Sequence, residues 1–404
     1  MTAPTRVLVL NSGSSSLKYQ LIDMADPAPG ERRPARGIVE RIGEPQARGG
    51  VPDHAAALRT VGAELAAAGH RLDSPGLLAI GHRAVHGGTR FTEPVLVDDG
   101  VLAEMEKLVP LAPLHNPANI AGIRVARELR PDLPQVAVFD TAFHATLPEH
   151  AWRYALDTAT ADAHAIRRYG FHGTSHAYVS RATARLLGRN PEDPADPGDF
   201  RVIVLHLGNG ASVSAVAGGR CVETSMGMTP LEGLVMGTRS GDIDPAVIFH
   251  LAREAGMDTD AIDTLLNKRS GLTGLCGDND MREIGRRIAE GDERAKLAFD
   301  VYVHRIRKYV GAYTAVLGRV DAIAFTAGVG ENSAAVREAS MRGLEALGVE
   351  LDSVRNAVRG TAPRVVSAPG SRVAVAVVPT DEELEIATQT RDLVRGGTAH
   401  PPPE

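Results

Sequence analysis

Three cationic side chains stand out by type and by setting. Arg83 lies in GHRAVHGG (81–88), His172 in RRYGFHGTSH (167–176) and Arg239 in MGMTPLEGLVMGTRSGDIDP (226–245). Each segment is rich in glycine, which lets backbone and ligand approach closely. Moving a phosphoryl group requires positive charge around three equatorial oxygens and tight alignment of donor and acceptor. A guanidinium suits carboxylate or phosphate because its planar fork makes two parallel hydrogen bonds. Arg83, His172 and Arg239 are therefore the best candidates for such chemistry. HLGNGAS (206–212) adds backbone N–H groups at Gly208, Asn209 and Gly210 that suit phosphate oxygens, and FTAGVGENS (325–333) reads as a second glycine-rich turn. VLVLNSGSSSLKYQL (7–21) also joins Gly and Ser to a Lys, but it lacks the second glycine and the Lys-Ser/Thr pair of the P-loop.

Other chemistries are less well served. His82 and His86 are spaced i, i+4, yet the Glu of the zinc-protease motif is missing and Gly87-Gly88 opposes a helix. Zinc is not expected there, and both read as structural histidines held by backbone. Cys221 and Cys276 are the only cysteines and form no C-x-x-C, which excludes a disulfide framework and a thiolate metal site. Asp140, in FDTAFH (139–144), could act as a base toward a hydroxyl nucleophile. A carboxylic acid, with a reference pKa near ~4, needs no base at neutral pH. For such a substrate Asp140 is expected to orient an arginine or a metal-bound water.

These residues must be positioned by an α/β framework. Strand-like apolar runs recur at 6–10, 77–81, 136–139, 202–206, 321–326 and 373–378, with helical stretches at 54–69, 118–129 and 294–318 between them. Pro, Gly and charge mark loops at 25–37 and 188–200 and a tail at 396–404. VLVLNSGSSSLKYQL, with its second β-favouring segment from Tyr19, is echoed by VIVLHLGNGASVSAV from Val202. Asn11 falls on His206, Gly13 on Gly208 and Ser16 on Ala211, so each copy reads as a β-hairpin and the pair suggests a duplicated domain. The 404 residues suffice for two or three domains, with 43% apolar and 23% charged residues as in ordinary soluble proteins. A net charge of −6 argues against nucleic acid as a partner. Neither a signal peptide nor a membrane span is evident, so a cytoplasmic protein is expected.

These segments, together with LHNP (114–117) and PTDEEL (379–384), closely resemble the acetate kinases, acid kinases of the ASKHA superfamily of sugar kinases, chaperone ATPases and actin. The resemblance runs from about residue 6 to about 390, and the motifs fall in the family's order. It implies two ribonuclease-H-like domains with a duplicated core and an interdomain active-site cleft. Residues 1–146 plus 383–404 would form the acid-substrate and metal domain, and 147–382 the nucleotide-binding domain. The implied reaction is reversible, in-line phosphoryl transfer from ATP to acetate, giving acetyl phosphate and ADP. Arg83 and Arg239 would hold the carboxylate and the transferring phosphoryl, His172 would stabilise the transition state, and Asp140 would complete the catalytic set. Asn11 and Glu382 would flank Mg²⁺ (or Mn²⁺ in its place), with Glu383 as the neighbouring alternative to Glu382; Mg²⁺ is the expected ion because it takes few carboxylates plus phosphate and water. Val85, Leu114, Phe171 and Pro230 would line the methyl pocket, with His115 beside them. The nucleotide would be held by His206, Leu207, Gly208, Asn209 and Gly210, by Asp280, Met281 and Arg282, and by Gly328, Val329, Gly330, Glu331 and Asn332. Ser14, Ser16 and Lys18 would face its phosphates. The loop before Asp280 is one residue shorter than the more usual family version. The resemblance further implies a homodimer. The alternatives are a kinase for propionate or butyrate and, in a different class, a non-catalytic ATP-binding switch, which would have no use for a second anion site.

Overall fold

The computed structural model describes residues 4–25, 32–44, 47, 49–189 and 200–396. The chain divides into two compact units, residues 1–145 with 381–404, and residues 146–380. The break before Asp381 keeps a helix with its cap, because the Asp381 carboxylate accepts from Leu384 N at the start of helix Glu382–Val394.

The first unit holds a six-stranded sheet: β1 (Arg6–Ser12), β2 (Ser16–Asp23), β3 (Ala35–Glu40), β4 (Leu77–Ala84), β5 (Val95–Leu96) and β6 (Gln135–Phe139), in the order β3-β2-β1-β4-β6-β5. The second holds β7 (Arg201–Leu207), β8 (Ala211–Ala217), β9 (Arg220–Thr224), β10 (Ala322–Thr326), β11 (Arg364–Val365) and β12 (Ala374–Val377), in the order β9-β8-β7-β10-β12-β11. Strand for strand the two orders coincide. In each, the hairpin strands are antiparallel, the next two central pairings are parallel, and the last edge strand is antiparallel. The duplication expected from the repeated hairpin is therefore present in the whole sheet. The two hairpins differ by one residue in register, Ser12 pairing with Leu17 but Leu207 with Ala211.

The period of two along β1 decides which helix covers which face. Leu8 and Leu10 join Leu58, Val61 and Leu65 of helix His54–Ala67 in one core cluster. Val7 and Val9 join Ile386 and Ala387 of helix Glu382–Val394 in another. Gly81 on β4 makes the second packing possible, since a Cβ there would lie 2.5 Å from Thr390 Oγ1 and 3.0 Å from Ile386 Cγ2. In the second unit the strands β7 and β10 are buried almost throughout. Helix Gly173–Leu186 packs on them, and the long helix Glu293–Leu317 on β7 and β8.

Several sequence expectations need correction. The stretch 25–37 is not all loop: β3 begins at Ala35 and pairs antiparallel with β2 from Leu21 back to Ser16, while residues 26–31 lie outside the described residues. Most of the 188–200 loop and of the 396–404 tail also lie outside them. The second strand of the first hairpin begins at Ser16 rather than Tyr19, because pairing with β1 carries Leu17 and Lys18 into the ladder. FTAGVGENS is not a simple turn: Ala327–Asn332 forms a short helix at the end of β10.

Candidate active site

In the first unit the parallel strands β4 and β6 end side by side, pairing Arg83 with Val138 and Ala84 with Phe139. Arg83 and Asp140 thus leave neighbouring strand ends and meet. Arg83 Nε donates to Asp140 Oδ1 at 2.9 Å and Nη2 to Oδ2 at 2.7 Å, a two-pronged ion pair. The Asp140 side chain is 3% exposed and that of Arg83 20%. Glu382, in the first turn of its helix, brings a second carboxylate oxygen to 3.6 Å from Arg83 Nη2. Burial works against the Arg83 charge, but Asp140, Glu382 and Glu383 outweigh it and raise its pKa. The backbone just beyond Arg83 is fixed by the helix Asn116–Leu129. Val85 N donates to Asn119 Oδ1 at 3.1 Å, His86 N to Asn116 Oδ1 at 3.2 Å, and Asn119 Nδ2 to Ser12 O at 2.7 Å. Thr141 Oγ1 accepts from Gly87 N at 3.0 Å.

In the second unit His172 adopts the left-handed conformation (φ 57°) as it starts helix Gly173–Leu186. That region is uncommon for a residue with a Cβ and costs about 1–2 kcal/mol. The His172 ring stacks on His206, with centroids 4.2 Å apart. Its Nδ1 lies 2.9 Å from Ser212 Oγ, which also meets His176 Nε2 at 2.7 Å. His206 Nδ1 is held by Ser175 Oγ at 2.8 Å, and that hydroxyl meets Thr380 Oγ1 at 2.8 Å. A Cβ placed on Gly210 would lie 3.5 Å from His172 Cε1 and Nε2 and 3.6 Å from Arg239 Nη1, so imidazole and guanidinium flank the same glycine. Arg239 Nη1 donates to Pro230 O at 3.1 Å. No carboxylate pairs with Arg239 among the described residues, and burial alone depresses its pKa.

The loop that carries Arg239 is irregular but tied down. Arg168 Nη2 donates to Glu232 Oε1 at 2.7 Å, and Nη1 to the carbonyls of Ser225 and Met226 at 3.2 Å. Tyr154 Oη donates to Glu232 as well. Asp242 Oδ1 accepts from Gly233 N at 2.8 Å and also from Tyr309 Oη. Gly241 has φ +66°, and a Cβ there would come 2.3 Å from Leu234 O, so only glycine fits the crossing.

Residues 6–388 match the model of the acetokinase family. The chain belongs to the acetokinase family. An acetate kinase of Streptomyces avermitilis is 68% identical over 413 residues, covering 98% of this chain and 99% of that protein. Among solved structures, the acetate kinase of Porphyromonas gingivalis has 43% identity and a TM-score of 0.88, covering 96% of this chain and all of its own. A propionate kinase from Francisella tularensis has 40% identity and a TM-score of 0.86, covering 96% and 99%.

The residues singled out by the acetokinase motifs fall into separate groups. Arg83, Asp140 and Glu382 form one cluster, with Glu383 near Arg83 as well. Asn11 and Lys18 are cross-strand partners beside the turn that carries Ser14, with Ser16 at the start of β2. Val85 is half-buried, Leu114 is 58% exposed, and His115 precedes the helix Asn116–Leu129. His172, His206, Gly210 and Arg239 form the other cluster, with Pro230 on Arg239 and Phe171 buried next to His172 in the chain. Leu207 ends β7 inside the core, and Asn209 receives Gly237 N on its carbonyl at 2.9 Å. Asp280 caps the helix starting at Met281 and pairs with the exposed Arg282, which with the helix N–H groups lowers its pKa to about 2. Gly328, Val329, Gly330, Glu331 and Asn332 lie in the short helix after β10; Glu331 Oε1 accepts from Ala327 N at 2.8 Å and Thr380 N at 3.2 Å. The sequence reasoning missed the supports of these residues. Asn116 and Asn119 carried a signal, an i, i+3 spacing on one helix face. Ser212 and Thr141 sat inside quoted motifs. Arg337, which binds the carbonyls of Gly330 and Glu331 at 2.9 and 3.0 Å, carried none.

Proposed function

We propose that the protein catalyses reversible, in-line transfer of the γ-phosphoryl group of ATP to acetate, yielding acetyl phosphate and ADP. The observation that carries this reading is Arg239: a part-buried guanidinium, beside His172 and a glycine loop, bonded to a carbonyl instead of a carboxylate. Such a cation is poised for an anion that the described residues do not supply. Arg239 neutralises charge on the equatorial oxygens as it spreads in the loose transition state, and the imidazole of His172 stabilises it with a hydrogen bond. Backbone N–H groups of Asn209 and Gly210 hold the nucleotide phosphates, with Ser14, Ser16 and Lys18 as further donors; Gly208, expected from the sequence to join them, instead donates its N–H to Gly210 O at 3.0 Å and closes the turn. Residues 280–282 and 328–332 contact the ATP, the latter close to the adenosine. Arg83, aligned by Asp140, binds the carboxylate of acetate, and Val85, Leu114, Phe171 and Pro230 enclose the methyl group. Asp140 holds no proton of the substrate, because acetate is already ionised near neutrality.

Asn11 and Glu382 supply hard oxygen donors of the kind Mg²⁺ takes together with phosphate and water. No group of three or more His, Cys, Asp or Glu suited to a metal occurs among the described residues, and Mg²⁺ in kinases needs only one or two carboxylates. When bound, Mg²⁺ neutralises charge on the phosphate oxygens. In this reading residues 1–146 with the C-terminal helix serve acid and metal, and the middle of the chain serves the nucleotide.

A hydroxamate assay for acyl phosphate on wild type and Arg239→Ala tests the reading. ATP binding without acetate-dependent ADP release would refute it. The propionate kinase among the similar structures motivates a second arm, kcat/KM for acetate, propionate and butyrate. One methylene changes selectivity by only about 1–3 kcal/mol, so measurable propionate turnover is expected. We further propose a homodimer and, because the reaction draws on ATP, a cytoplasmic site. Ile243, Val247, Ile248 and Phe249 expose apolar surface along and just before helix Ala246–Glu254, which has no buried residue. No helix among the described residues is long and apolar enough to cross a membrane.

A further inference from the structure

We propose that Ser212, anchored by His176, is a positioning residue that holds His172 as the tautomer protonated at Nε2. The inference rests on the phosphoryl-transfer reading and extends it to the placement of one proton. His172 and His176 are one helical turn apart, so both rings lie on the same side of the helix. Ser212, on β8 directly opposite His206 of β7, lies between them and is fully buried, as is His176. Its Oγ is 2.9 Å from His172 Nδ1 and 2.7 Å from His176 Nε2. Stacking on His206, itself fixed by Ser175, settles the plane of the His172 ring. What is left to decide is which nitrogen carries the proton.

Among the described residues Ser212 Oγ meets only these two ring nitrogens, so its one proton goes to one imidazole and its oxygen accepts from the other. If it donates to His172 Nδ1, neutral His172 carries its proton on Nε2, and His176 Nε2–H donates to Ser212 Oγ. The Nε2 edge is the one near Gly210 and Arg239 Nη1, so the N–H then faces the candidate phosphate cradle. The reverse arrangement puts a bare lone pair on that edge, which repels a phosphate oxygen. For the neutral ring, only the first arrangement makes His172 a second donor beside Arg239. This is the division of labour seen where one ring nitrogen's partner dictates what the other presents.

The test uses the full-length protein with ¹⁵N-labelled histidine and long-range ¹H–¹⁵N correlation, His172 being assigned by its loss in His172→Gln. The wild type is expected to show Nε2-protonated His172. In Ser212→Ala both tautomers of His172 should become populated while His206 is unchanged, and kcat should fall about tenfold, the worth of one hydrogen bond. Binding of a non-hydrolysable ATP analogue, followed by calorimetry, should stay the same. His176→Phe, which removes the anchor from the other side, should move tautomer and kcat in the same direction. An Nδ1-protonated wild type overturns the proposal, and so does a loss of kcat with no tautomer change in either variant, the mark of damaged packing. If the wild type makes no acyl phosphate, the phosphoryl-transfer reading fails, while the wild-type spectrum still decides the tautomer.

Discussion

Asp140→Asn separates an orienting carboxylate from a general base. In the native protein both oxygens of Asp140 accept from Arg83, at 2.9 and 2.7 Å, in a nearly solvent-free setting. Asparagine keeps one acceptor oxygen and turns an N–H₂ group toward the guanidinium in place of the other. One charge-assisted bond, about 1.5–3 kcal/mol, is lost, and the survivor binds a neutral group. The full penalty of about 3–5 kcal/mol for stranding a buried charge is not reached, because Glu382 remains 3.6 Å from Arg83. If the loss appears in the alignment of Arg83, it amounts to about 2–3 kcal/mol, or roughly a 30- to 150-fold drop in kcat. Acetate is ionised throughout the working range, so the variant's pH profile should run parallel to that of the wild type. The measurement is kcat by hydroxamate formation between about pH 6 and pH 9 for both proteins. A variant whose rate climbs toward the wild-type value as pH rises would show that Asp140 removes a proton, and the orienting role would be wrong.

Arg239→Ala should lower kcat by about a thousandfold or more, as expected for a transition-state arginine. Its melting temperature should hold or rise, since a part-buried cation with no carboxylate partner among the described residues is removed; a large drop in melting temperature would contradict this. Glu382→Gln should raise the Mg²⁺ concentration for half-maximal rate about tenfold, and Glu383→Gln should do much less. The opposite ranking would move the metal-binding role to Glu383. His82 donates through Nε2 to Gln135 Oε1 at 2.7 Å, yet burial holds its pKa down to about 4. Between about pH 6.5 and pH 4 the unfolded chain therefore binds the extra proton and the native one does not, so stability falls as pH drops through that window. At pH 5 the effect is about 2 kcal/mol. His82→Asn should shrink the difference in unfolding free energy between pH 7 and pH 5 by that amount; an unchanged difference would refute it.

The central strands were legible because burial on both faces writes them as continuous apolar runs, as in Val7 to Leu10 and Val202 to Leu205. The edge strands were not. β3 reads ARGIVE, of which only Val39 is buried, while β5 and β11 are two residues each. Their pairing is dictated by the neighbouring strand rather than by their own pattern. The candidate site divides in the same way. Arg83, Asp140, His172 and Arg239 announce themselves by type and by glycine-rich surroundings. Asn119 and Ser212 act on backbone or ring atoms tens of residues distant, and Arg337 on two carbonyls of the preceding short helix; none of these partners has a residue type or motif to betray it.

The two arginines sit in opposite electrostatic settings, and that contrast predicts how the acid binds. Arg239 has no carboxylate partner among the described residues. Arg83 is matched by Asp140 at 2.7 Å and faced by Glu382 at 3.6 Å, with Glu383 also acting on it. One guanidinium against two near carboxylates leaves that cluster negative, a setting that repels an anionic substrate. A divalent cation beside Glu382 reverses the sign. Acetate should therefore bind to this cluster much more weakly without Mg²⁺, even with no nucleotide present. Titrating ¹³C-labelled acetate into the nucleotide-free protein, with Mg²⁺ or with chelator, measures the difference. Equal affinity in the two conditions would mean that Arg83 binds the acid unaided, and the charge argument would fail. In Glu382→Gln the cluster is already closer to neutral, so its acetate affinity in chelator should exceed that of the wild type.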